Sequence, residues 1–566
     1  MIIGLDVGGT HTDVVLLDHE GIRREIKVPT RHTDLFSSVL EGIDAVTDGI
    51  NLSEVKRIVL STTLTTNAVI QGQVPEVGMV VCAGPGIDPV LFRTNRHYVR
   101  VRGAVDHRGR EIEPVDPQEV RAVAAEFRSA GIRHIGVVGK FSVRNPQHEL
   151  QIHDILHPDF DKVFLGHRIS GSLNFARRIA TTYLNAAVYP IHRRFFEAVT
   201  QALAAKGMVL PLRLLKADGG NMRLESSLEF PAQTILSGPA ASVLGAIAMA
   251  AGPEDALVMD IGGTTTDMAV LIGSAPLLDP LGIAIGPHRT LIRSLETLSI
   301  GVGGDSTVRI ENGCVTVGPD RSGPAIVYGG RRPTPTDALA VLGDITSDRR
   351  REAAAAFQPM AEALGVGVAE LAALVMETAC RAMLGAARDL VAHINAKPVY
   401  TVHELLEGYR VQPRTLLVLG GPAPCFARHL EKLGGYRVRV VPRWQVANAI
   451  GAALARTTCE VVLFADTQQR RAGAPGEGFN RTIPADFSPE AACAQALELL
   501  RVKALERGAN PDYLEMEVVE HQVFNMVRGF NTAGKNMRVR VQVKPGLIHG
   551  YDALLARLAA GAAQRA

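Results

Sequence analysis

A twelve-residue stretch occurs twice in this chain, and the repeat constrains the fold more than any other feature. Residues 6–17 read DVGGTHTDVVLL and residues 260–271 read DIGGTTTDMAVL, with their shared residues at a constant offset of 254. Each copy follows a short apolar run, IIGL or ALVM, and continues into a second apolar run. Two apolar runs joined by a Gly-Gly turn predict a β-hairpin. Two distant copies of one hairpin predict two similarly folded halves.

The turn of each hairpin has the residues that bind a phosphate group. Consecutive backbone N–H groups are exposed at a Gly-Gly-Thr turn, and the absence of a Cβ at Gly8 and Gly9 allows a phosphate to approach closely. The hydroxyls of Thr10 and Thr12 add donors, and Asp6 offers a carboxylate to Mg²⁺, directly or through water. The second copy supplies Asp260, Gly262, Gly263, Thr264 and Thr265. We therefore expect two facing turns, with glycines at positive φ, that hold the phosphates of a nucleotide.

A third glycine pair follows another apolar run. Residues 417–424 read LVLGGPAP, which predicts a buried strand that ends at Gly420 and Gly421. Such a pair allows the backbone to lie against an adenine or a ribose, although a plain strand-to-helix turn has the same pattern. Between the motifs, apolar runs alternate with amphipathic stretches, and this alternation predicts an α/β fold.

The character of the chain changes near Thr458. Residues 473–484 read GAPGEGFNRTIP, a composition typical of a linker, and are followed by a predicted helix and two alternating strands. We expect residues 456–566 to form a small α+β unit.

Composition excludes several other classes of protein. Lys and Arg number 60 against 58 Asp and Glu, so the net charge of +2 gives no support for a nucleic-acid or acidic-membrane partner. Aromatic residues are scarce at 5%, and no two of the six cysteines have CxxC spacing. The chain has no apolar run of about 18 residues and no basic flank before its apolar start. We expect a cytoplasmic protein that binds no membrane.

In combination, the motifs resemble those of a known family. DxGGTxTD, a second DIGGTTTD and GGPAP in this order resemble the superfamily of actin, sugar kinase and heat-shock ATPases, and more narrowly the hydantoinase A/5-oxoprolinase family. Five further segments are similar to that family's motifs, and the resemblance covers about residues 1–455. These segments are STTLTTNAV (61–69), FSVRNPQHE (141–149), TTYLNAAVYP (181–190), TILSGPAAS (234–242) and the block at 317–338.

This resemblance implies a fold and a domain division. The fold would be α/β, with two actin-like ATPase lobes that duplicate a ribonuclease H-like fold and hold ATP in the cleft between them. Residues 1–180 would form the N-terminal lobe, residues 181–455 the second lobe, and residues 456–566 the small C-terminal unit, which has no counterpart that we can assign.

The same resemblance implies an ATP-dependent hydrolase of the hydantoinase/5-oxoprolinase type. Phosphoryl transfer from Mg-ATP would activate the oxygen of a lactam, cyclic amide or other carbonyl compound. Asp6 and Asp260 would organise Mg²⁺ and water as catalytic and metal-binding residues. In the glycine-rich loop GVGGDS (301–306), Asp305 would orient an acceptor. The cofactor-binding set is completed by Gly303, Gly304, Gly420 and Gly421.

Departures from the family pattern concern the substrate more than the nucleotide. Ser61 stands where the family has His, GVGGDS stands where it has GAGGGS, and the block at 317–338 is shorter than usual. Two other functions have the same nucleotide motifs: a nucleotide-driven reactivator or switch acting on a partner protein, and a small-molecule kinase. The expected partners are a small-molecule substrate and either a second subunit or further copies of the chain.

Several residues near the motifs have two interpretations. His11 either contacts a phosphate or is a variable turn residue. Asp13 and Asp267 either hold the turns or assist metal binding. Three further residues lie where a predicted strand ends in a glycine turn and are candidate substrate contacts: Lys216, Asp218 and Asn221.

Overall fold

The two repeated hairpins occupy equivalent places in two six-stranded sheets of the computed structural model. The structure describes residues 1–557 except 32–33, 209, 251, 253, 280, 397–409, 530 and 552. Strands and helices alternate along the two halves, which confirms the predicted α/β class.

The first lobe contains one mixed sheet and one parallel sheet. The mixed sheet has the order β12-β11-β4-β1-β2-β3, and the parallel sheet has the order β10-β9-β5-β6. The strands of the first lobe are β1 (Ile2–Val7), β2 (His11–Leu17), β3 (Ile22–Pro29), β4 (Arg57–Thr62), β5 (Gly78–Cys82), β6 (Tyr98–Arg100), β7 (Ala104–Val105), β8 (Glu111–Glu113), β9 (His134–Gly139), β10 (Lys162–Leu165), β11 (Leu212–Leu215) and β12 (Asn221–Arg223). Its helices are α1 (Leu35–Thr47), α2 (Leu64–Ile70), α3 (Pro117–Ser129), α4 (Gln147–Leu156), α5 (Gly166–Ile169), α6 (Phe175–Ala205) and α7 (Leu224–Glu229).

The second lobe repeats the central strand arrangement of the first. β13 pairs antiparallel with β14 and parallel with β21, as β1 does with β2 and β4. Its strands are β13 (Ala256–Ile261), β14 (Thr266–Ile272), β15 (Ala275–Pro276), β16 (Ala284–Ile285), β17 (His288–Arg289), β18 (Thr297–Ile300), β19 (Val308–Glu311), β20 (Cys314–Val317), β21 (Thr415–Leu419) and β22 (Arg437–Val440). Its helices are α8 (Ser237–Ala250), α9 (Pro335–Leu342), α10 (Arg350–Leu364), α11 (Val368–Asn395), α12 (Ala423–Gly434) and α13 (Ala447–Leu454).

Two small, apolar helices join the lobes. α8 and α13 lie in one hydrophobic core with residues of both sheets, including Ile2 and Val258. Gly245 and Gly451 let the two helices touch, because a Cβ on either would come within 2.2 Å of a carbonyl oxygen of the other helix. The hairpins of the two lobes are therefore held in a fixed relation by close backbone packing.

The C-terminal unit is a five-stranded antiparallel sheet covered by one helix. The order of its strands is β25-β24-β23-β27-β26, and the apolar face of β27 is buried under the helix. The prediction of a linker at 473–484 is wrong, because these residues form most of a paired strand-turn-strand element. The elements are β23 (Glu460–Asp466), β24 (Arg471–Ala474), β25 (Phe479–Thr482), α14 (Pro489–Glu506), β26 (Met516–Arg528) and β27 (Asn531–Val543).

The predicted domain boundaries remain predictions. Helix α6 runs through residue 180, and the segment after β27 returns to the other units. Leu554 is fully buried in the core that α8 and α13 share with the two large sheets.

No described helix is by itself long and apolar enough to cross a bilayer. α10 and α11 reach that length and composition only as a pair, and the pair is bent by 88° at the break between them. Both helices contribute buried residues to the core of the second lobe, which accounts for their apolar faces.

Candidate functional site

The two hairpin turns have the same geometry. Asp6 pairs with Asp13 across the first hairpin, and Asp260 pairs with Asp267 across the second. The N–H of Gly8 donates to the carbonyl of His11 over 3.0 Å, and the corresponding bond in the second turn measures 2.9 Å. None of the four turn glycines has a φ in the left-handed region, so the expectation of positive φ is wrong.

Each turn leaves two consecutive backbone N–H groups without a partner. Within the described part of the chain, nothing accepts a hydrogen bond from the N–H groups of Gly9, Thr10, Gly263 and Thr264. Unpaired backbone donors are uncommon unless water or a ligand satisfies them. The two turns therefore offer matched pairs of donors to an anion.

A single side chain links the carboxylates that begin the turns. Nδ2 of Asn448, on α13, donates to Oδ2 of Asp6 over 3.3 Å and to Oδ2 of Asp260 over 3.1 Å. The hydroxyl of Ser242, on α8, donates to the same oxygen of Asp260 over 2.6 Å. The two helices between the lobes thus position both aspartates.

The site has oxygens suited to a small hard cation. Oδ1 of Asp6 and Oδ1 of Asn448 are buried, and neither has a hydrogen-bond partner among the described residues. Carboxylate and amide oxygens are ligands that Mg²⁺ accepts, usually together with several waters. The donor set therefore fits the predicted magnesium ion.

Burial dominates the electrostatics of the aspartates. It raises the pKa of Asp6 to about 7, with a contribution from the nearby Asp13 and Asp260 carboxylates. It also raises the pKa of Asp267 to about 7. Asp13 has a raised pKa for the same reason, although its ion pair with Lys27 at 2.7 Å opposes the shift. At these three positions burial disfavours the ionised carboxylate, and a nearby positive charge would favour it.

Ser61 lies beside the first carboxylate. It is paired with Asp6 in the register of β1 and β4, and its hydroxyl opposes the burial that raises the pKa of Asp6. The next residue, Thr62, exchanges hydrogen bonds with Ser237, the first residue of α8. The segment that carries the departure from the family pattern is therefore part of this site.

The predicted glycine-rich loop supports the second turn from behind. The N–H groups of Gly304 and Asp305 donate to the carbonyls of Gly262 and Gly263 over 2.9 and 2.7 Å. The N–H of Gly303 donates to Ser306, so these backbone donors are already satisfied. The loop holds the turn in place and offers none of these three donors to a nucleotide.

Asp305 stands directly behind the second turn. A Cβ on Gly263 would come within 2.8 Å of its Oδ2. Burial raises the pKa of Asp305, and Arg321, whose guanidinium donates to Oδ2 over 3.1 Å, opposes the shift. Arg321 is also among the charges that lower the pKa of His11, so the guanidinium lies near both hairpins.

The third glycine pair lies against the second carboxylate. Gly420 has φ +92°, and a Cβ there would come within 2.5 Å of Oδ1 of Asp260. Gly421 is exposed, with no atom within 4 Å of the position of a Cβ, and α12 begins two residues later. The structure therefore brings together all three predicted glycine motifs.

Some predicted residues face away from the turns. Thr12 is fully buried, and its hydroxyl pairs with Thr30 at 3.1 Å. Its counterpart Thr266 donates to the carbonyl of Val302 over 2.6 Å. His11 and Thr265, which occupy equivalent positions, are exposed.

The candidate substrate contacts near the glycine turn at 219–220 are buried among themselves. Lys216 and Asp218 form an ion pair at 3.0 Å, and each has a relative exposure of 4% or less. Asp218 also accepts from Thr458 and lies 3.5 Å from Arg293. Asn221 accepts from Arg213 and donates to the carbonyl of Ala455. This cluster joins the lobes to the C-terminal unit.

Sequence reasoning missed Asn448, Ser242 and Arg321. One feature of the sequence could have indicated Asn448, because it is the only polar side chain in the apolar helix ANAIGAAL. Arg321 lies within the block at 317–338, but only the fold shows its contact with Asp305.

Two family comparisons cover most of the chain. The sequence model of the hydantoinase/oxoprolinase N-terminal region matches residues 2–159, and that of hydantoinase/oxoprolinase matches residues 178–461. The chain belongs to the hydantoinase/oxoprolinase family.

Individual relatives have low sequence identity to this chain. Caprolactamase subunit alpha of Pseudomonas jessenii is 24% identical over 491 residues, which cover 78% of this chain and 68% of the relative. The gamma subunit of acetophenone carboxylase of Aromatoleum aromaticum is 26% identical over 514 residues, 80% of this chain and 67% of the relative.

Solved structures show the same fold. Nucleotide-free acetone carboxylase, from work on ATP-dependent acetone carboxylation, matches with a TM-score of 0.71 at 17% identity, covering 97% of this chain and 88% of the other. ATP-dependent caprolactamase of Pseudomonas jessenii matches with a TM-score of 0.71 at 19% identity, covering 96% and 87%.

Proposed function

We propose that this chain binds Mg-ATP between its two hairpins and uses phosphoryl transfer to activate the carbonyl oxygen of a small molecule. The observation that carries the proposal is the pair of matched turns, each with two unpaired N–H groups, whose aspartates Asp6 and Asp260 share the amide of Asn448. In such an arrangement, the N–H groups donate hydrogen bonds to the phosphates and the carboxylates bind the Mg²⁺ that accompanies them.

Each part of the site has a physical task in this proposal. The N–H groups of the turns bind the β- and γ-phosphates and stabilise charge that develops on the transferred group. Asp6, Asp260 and Asn448 would hold Mg²⁺, which supplies neutralisation of the phosphate oxygens. Arg321 lies close to both hairpins and adds positive charge at the same place.

The names of relatives in this family support a substrate class. Relatives include a caprolactamase and several 5-oxoprolinases, names that denote action on cyclic amides. Transfer of a phosphoryl group to an amide oxygen makes the carbonyl carbon more electrophilic and turns the oxygen into a leaving group. We propose a lactam, hydantoin or related carbonyl compound as the substrate, and the cytoplasm as the location.

Three relatives are named as subunits, which supports an assembly here as well. The proposal includes a second subunit, or further copies of this chain, as a partner for the step that follows activation. A small-molecule kinase and a switch that acts on a partner protein use the same nucleotide site.

One experiment separates these functions. The full chain is supplied with Mg-ATP and a panel of lactams, hydantoins and ketones, and ADP release is measured together with the product masses. The proposal expects ADP release stimulated by a cyclic amide or ketone, with a ring-opened or otherwise converted product. A stable phosphorylated product assigns a kinase, and stimulation by protein alone assigns a switch.

A further inference from the structure

A large cavity lies outside the nucleotide site, between the first lobe and the C-terminal unit. Its volume is about 900 Å³, which is within the range of small-molecule sites. None of the described residues that line it belongs to the hairpins, the loop at 301–306 or the glycine pair at 420–421. The cavity is therefore separate from the proposed ATP site.

The first wall of the cavity includes the carboxyl edge of a parallel sheet. The sheet has the order β10-β9-β5-β6, so that β9 and β10 are parallel neighbours at one side of it. Open parallel sheets bind ligands outside the carboxyl ends of their strands. Arg144, His167 and Arg168 follow the carboxyl ends of β9 and β10 and line the cavity.

A buried carboxylate fixes one residue of this wall. Glu149 is fully buried, and its Oε1 accepts from the N–H of Gly139 at the end of β9 over 2.8 Å. Its Oε2 accepts from the N–H of His167 over 2.9 Å and lies 2.6 Å from Nδ1 of the same residue. Nε2, on the other edge of the ring, has no partner among the described residues. The carboxylate orients the imidazole and leaves Nε2 available to a ligand.

The second wall belongs to the C-terminal unit. Phe464, Gly473 and Arg507 line the cavity from this side. The turn at 475–477 packs on the first wall, because a Cβ on Gly476 would stand 3.5 Å from the carbonyl oxygen of His167. The site is therefore complete only when both units are present.

Positive charge in the cavity exceeds what its carboxylates neutralise. Lys162 pairs with Glu229 at 2.5 Å and Lys503 pairs with Glu477. Arg168 and Arg507 have no carboxylate partner in the described part of the chain, and Arg507 lies over the ring of Phe230 at 5.0 Å. Both arginines also line a smaller adjoining cavity, which places them at the same end of the large one. Unpaired guanidinium groups in a cavity favour a planar or tetrahedral oxyanion.

We propose that this cavity binds a small molecule through a carboxylate or phosphate group held by Arg168 and Arg507, with Nε2 of His167 as a further contact. This site goes beyond the proposed ATP site and does not depend on it.

Calorimetric titration of the full chain tests the site. Inorganic phosphate and succinate are the probes, at constant ionic strength, with a nonhydrolysable ATP analogue and Mg²⁺ present to fill the nucleotide cleft. We expect one saturable site for at least one probe, and the tighter probe identifies the oxyanion class. Failure of both probes to bind would overturn the proposal.

Four variants test whether the probe binds in this cavity. The double variant Arg168→Gln/Arg507→Gln is expected to weaken binding at least about tenfold, while Arg501→Gln, an exposed arginine on α14, leaves it unchanged. Gly473→Leu fills the cavity, because Gly473 lies between two alanines that face the core, and a Cβ there makes only ordinary contact at 3.5 Å. It is expected to abolish binding. Asp260→Asn is expected to leave it intact, which separates this site from the ATP proposal. Equal binding by the wild type, the double variant and Gly473→Leu would contradict the assignment.

Discussion

Asp6 and Asp260 lie 254 positions apart in the chain and share one hydrogen-bond donor, the side-chain amide of Asn448. The amide comes from a helix that packs between the two lobes, so it belongs to neither hairpin. The internal repeat therefore forms one site rather than two.

The shared donor gives the first prediction. Asn448→Ala removes a hydrogen bond from both carboxylates, and bonds to charged groups are worth about 1.5–3 kcal/mol. We expect the rate of ADP release to fall at least about tenfold, measured as kcat and KM for Mg-ATP. Asn525→Ala, at an exposed position on β26, is the matched control. Equal kinetics for both variants would show that the bridge has no role.

Gly9 provides a test of the phosphate-binding backbone. It is exposed, its φ is not left-handed, and a Cβ there meets no atom within 4 Å, so the fold accepts a larger side chain. A valine would stand where the unpaired N–H groups of Gly9 and Thr10 meet a phosphate. Gly9→Val is expected to raise the Kd for Mg-ATP at least about tenfold while the thermal midpoint stays constant.

Gly21→Val is the control for that variant, because it changes another open turn between two strands. Gly263→Val is less informative, since its side chain also collides with Asp305. If Gly9→Val binds Mg-ATP as tightly as Gly21→Val does, the first turn does not contact the nucleotide.

Much of the site could be predicted because its turns are local. The Gly-Gly turns, the aspartates before them and the strands on either side follow from short-range sequence patterns. The contacts of Asn448 and Arg321 could not be predicted, since they depend on how distant elements pack. The error at 473–484 has a similar cause: a Gly- and Pro-rich stretch became paired strands because β23 offered an edge to β24.

The buried cluster around Asp218 predicts a stability effect. Burial opposes ionisation of Asp218, but Lys216 and Arg293 outweigh it and hold its pKa at about 2. Asp218→Asn leaves these cations without their carboxylate, which costs about 3–5 kcal/mol when a buried pair is broken. We expect the free energy of unfolding to fall by that order at neutral pH, measured with denaturant.

The same pKa sets the pH window. The pKa of Asp218 is lower in the folded state than in the unfolded chain, so its contribution is present above about pH 4 and is lost as the pH falls toward 2. The difference between wild type and Asp218→Asn should therefore shrink over that range. A difference that stays constant from pH 7 to pH 2 would contradict this explanation.

The C-terminal unit predicts the result of a truncation. A chain that ends at residue 457 lacks Thr458, which donates to Asp218, and Leu554, which is buried between the lobes. A separately folded unit would leave a soluble ATP-binding core, whereas these contacts lead us to expect loss of stability and aggregation. Sedimentation and a thermal melt decide the matter, and a soluble monomer with wild-type affinity for ATP would show that the unit is an appendage.

If both hairpins form one Mg-ATP site, removal of the negative charge of Asp260 should impair turnover, which is measured as the rate of ADP release by Asp260→Asn at saturating Mg-ATP. Asp486→Asn, at an exposed position, is the control, and a thermal melt confirms that both variants fold. We expect a loss of roughly 10²-fold, equivalent to about 3 kcal/mol of transition-state stabilisation, for Asp260→Asn alone. Turnover within about threefold of the wild type by a folded Asp260→Asn protein would contradict it.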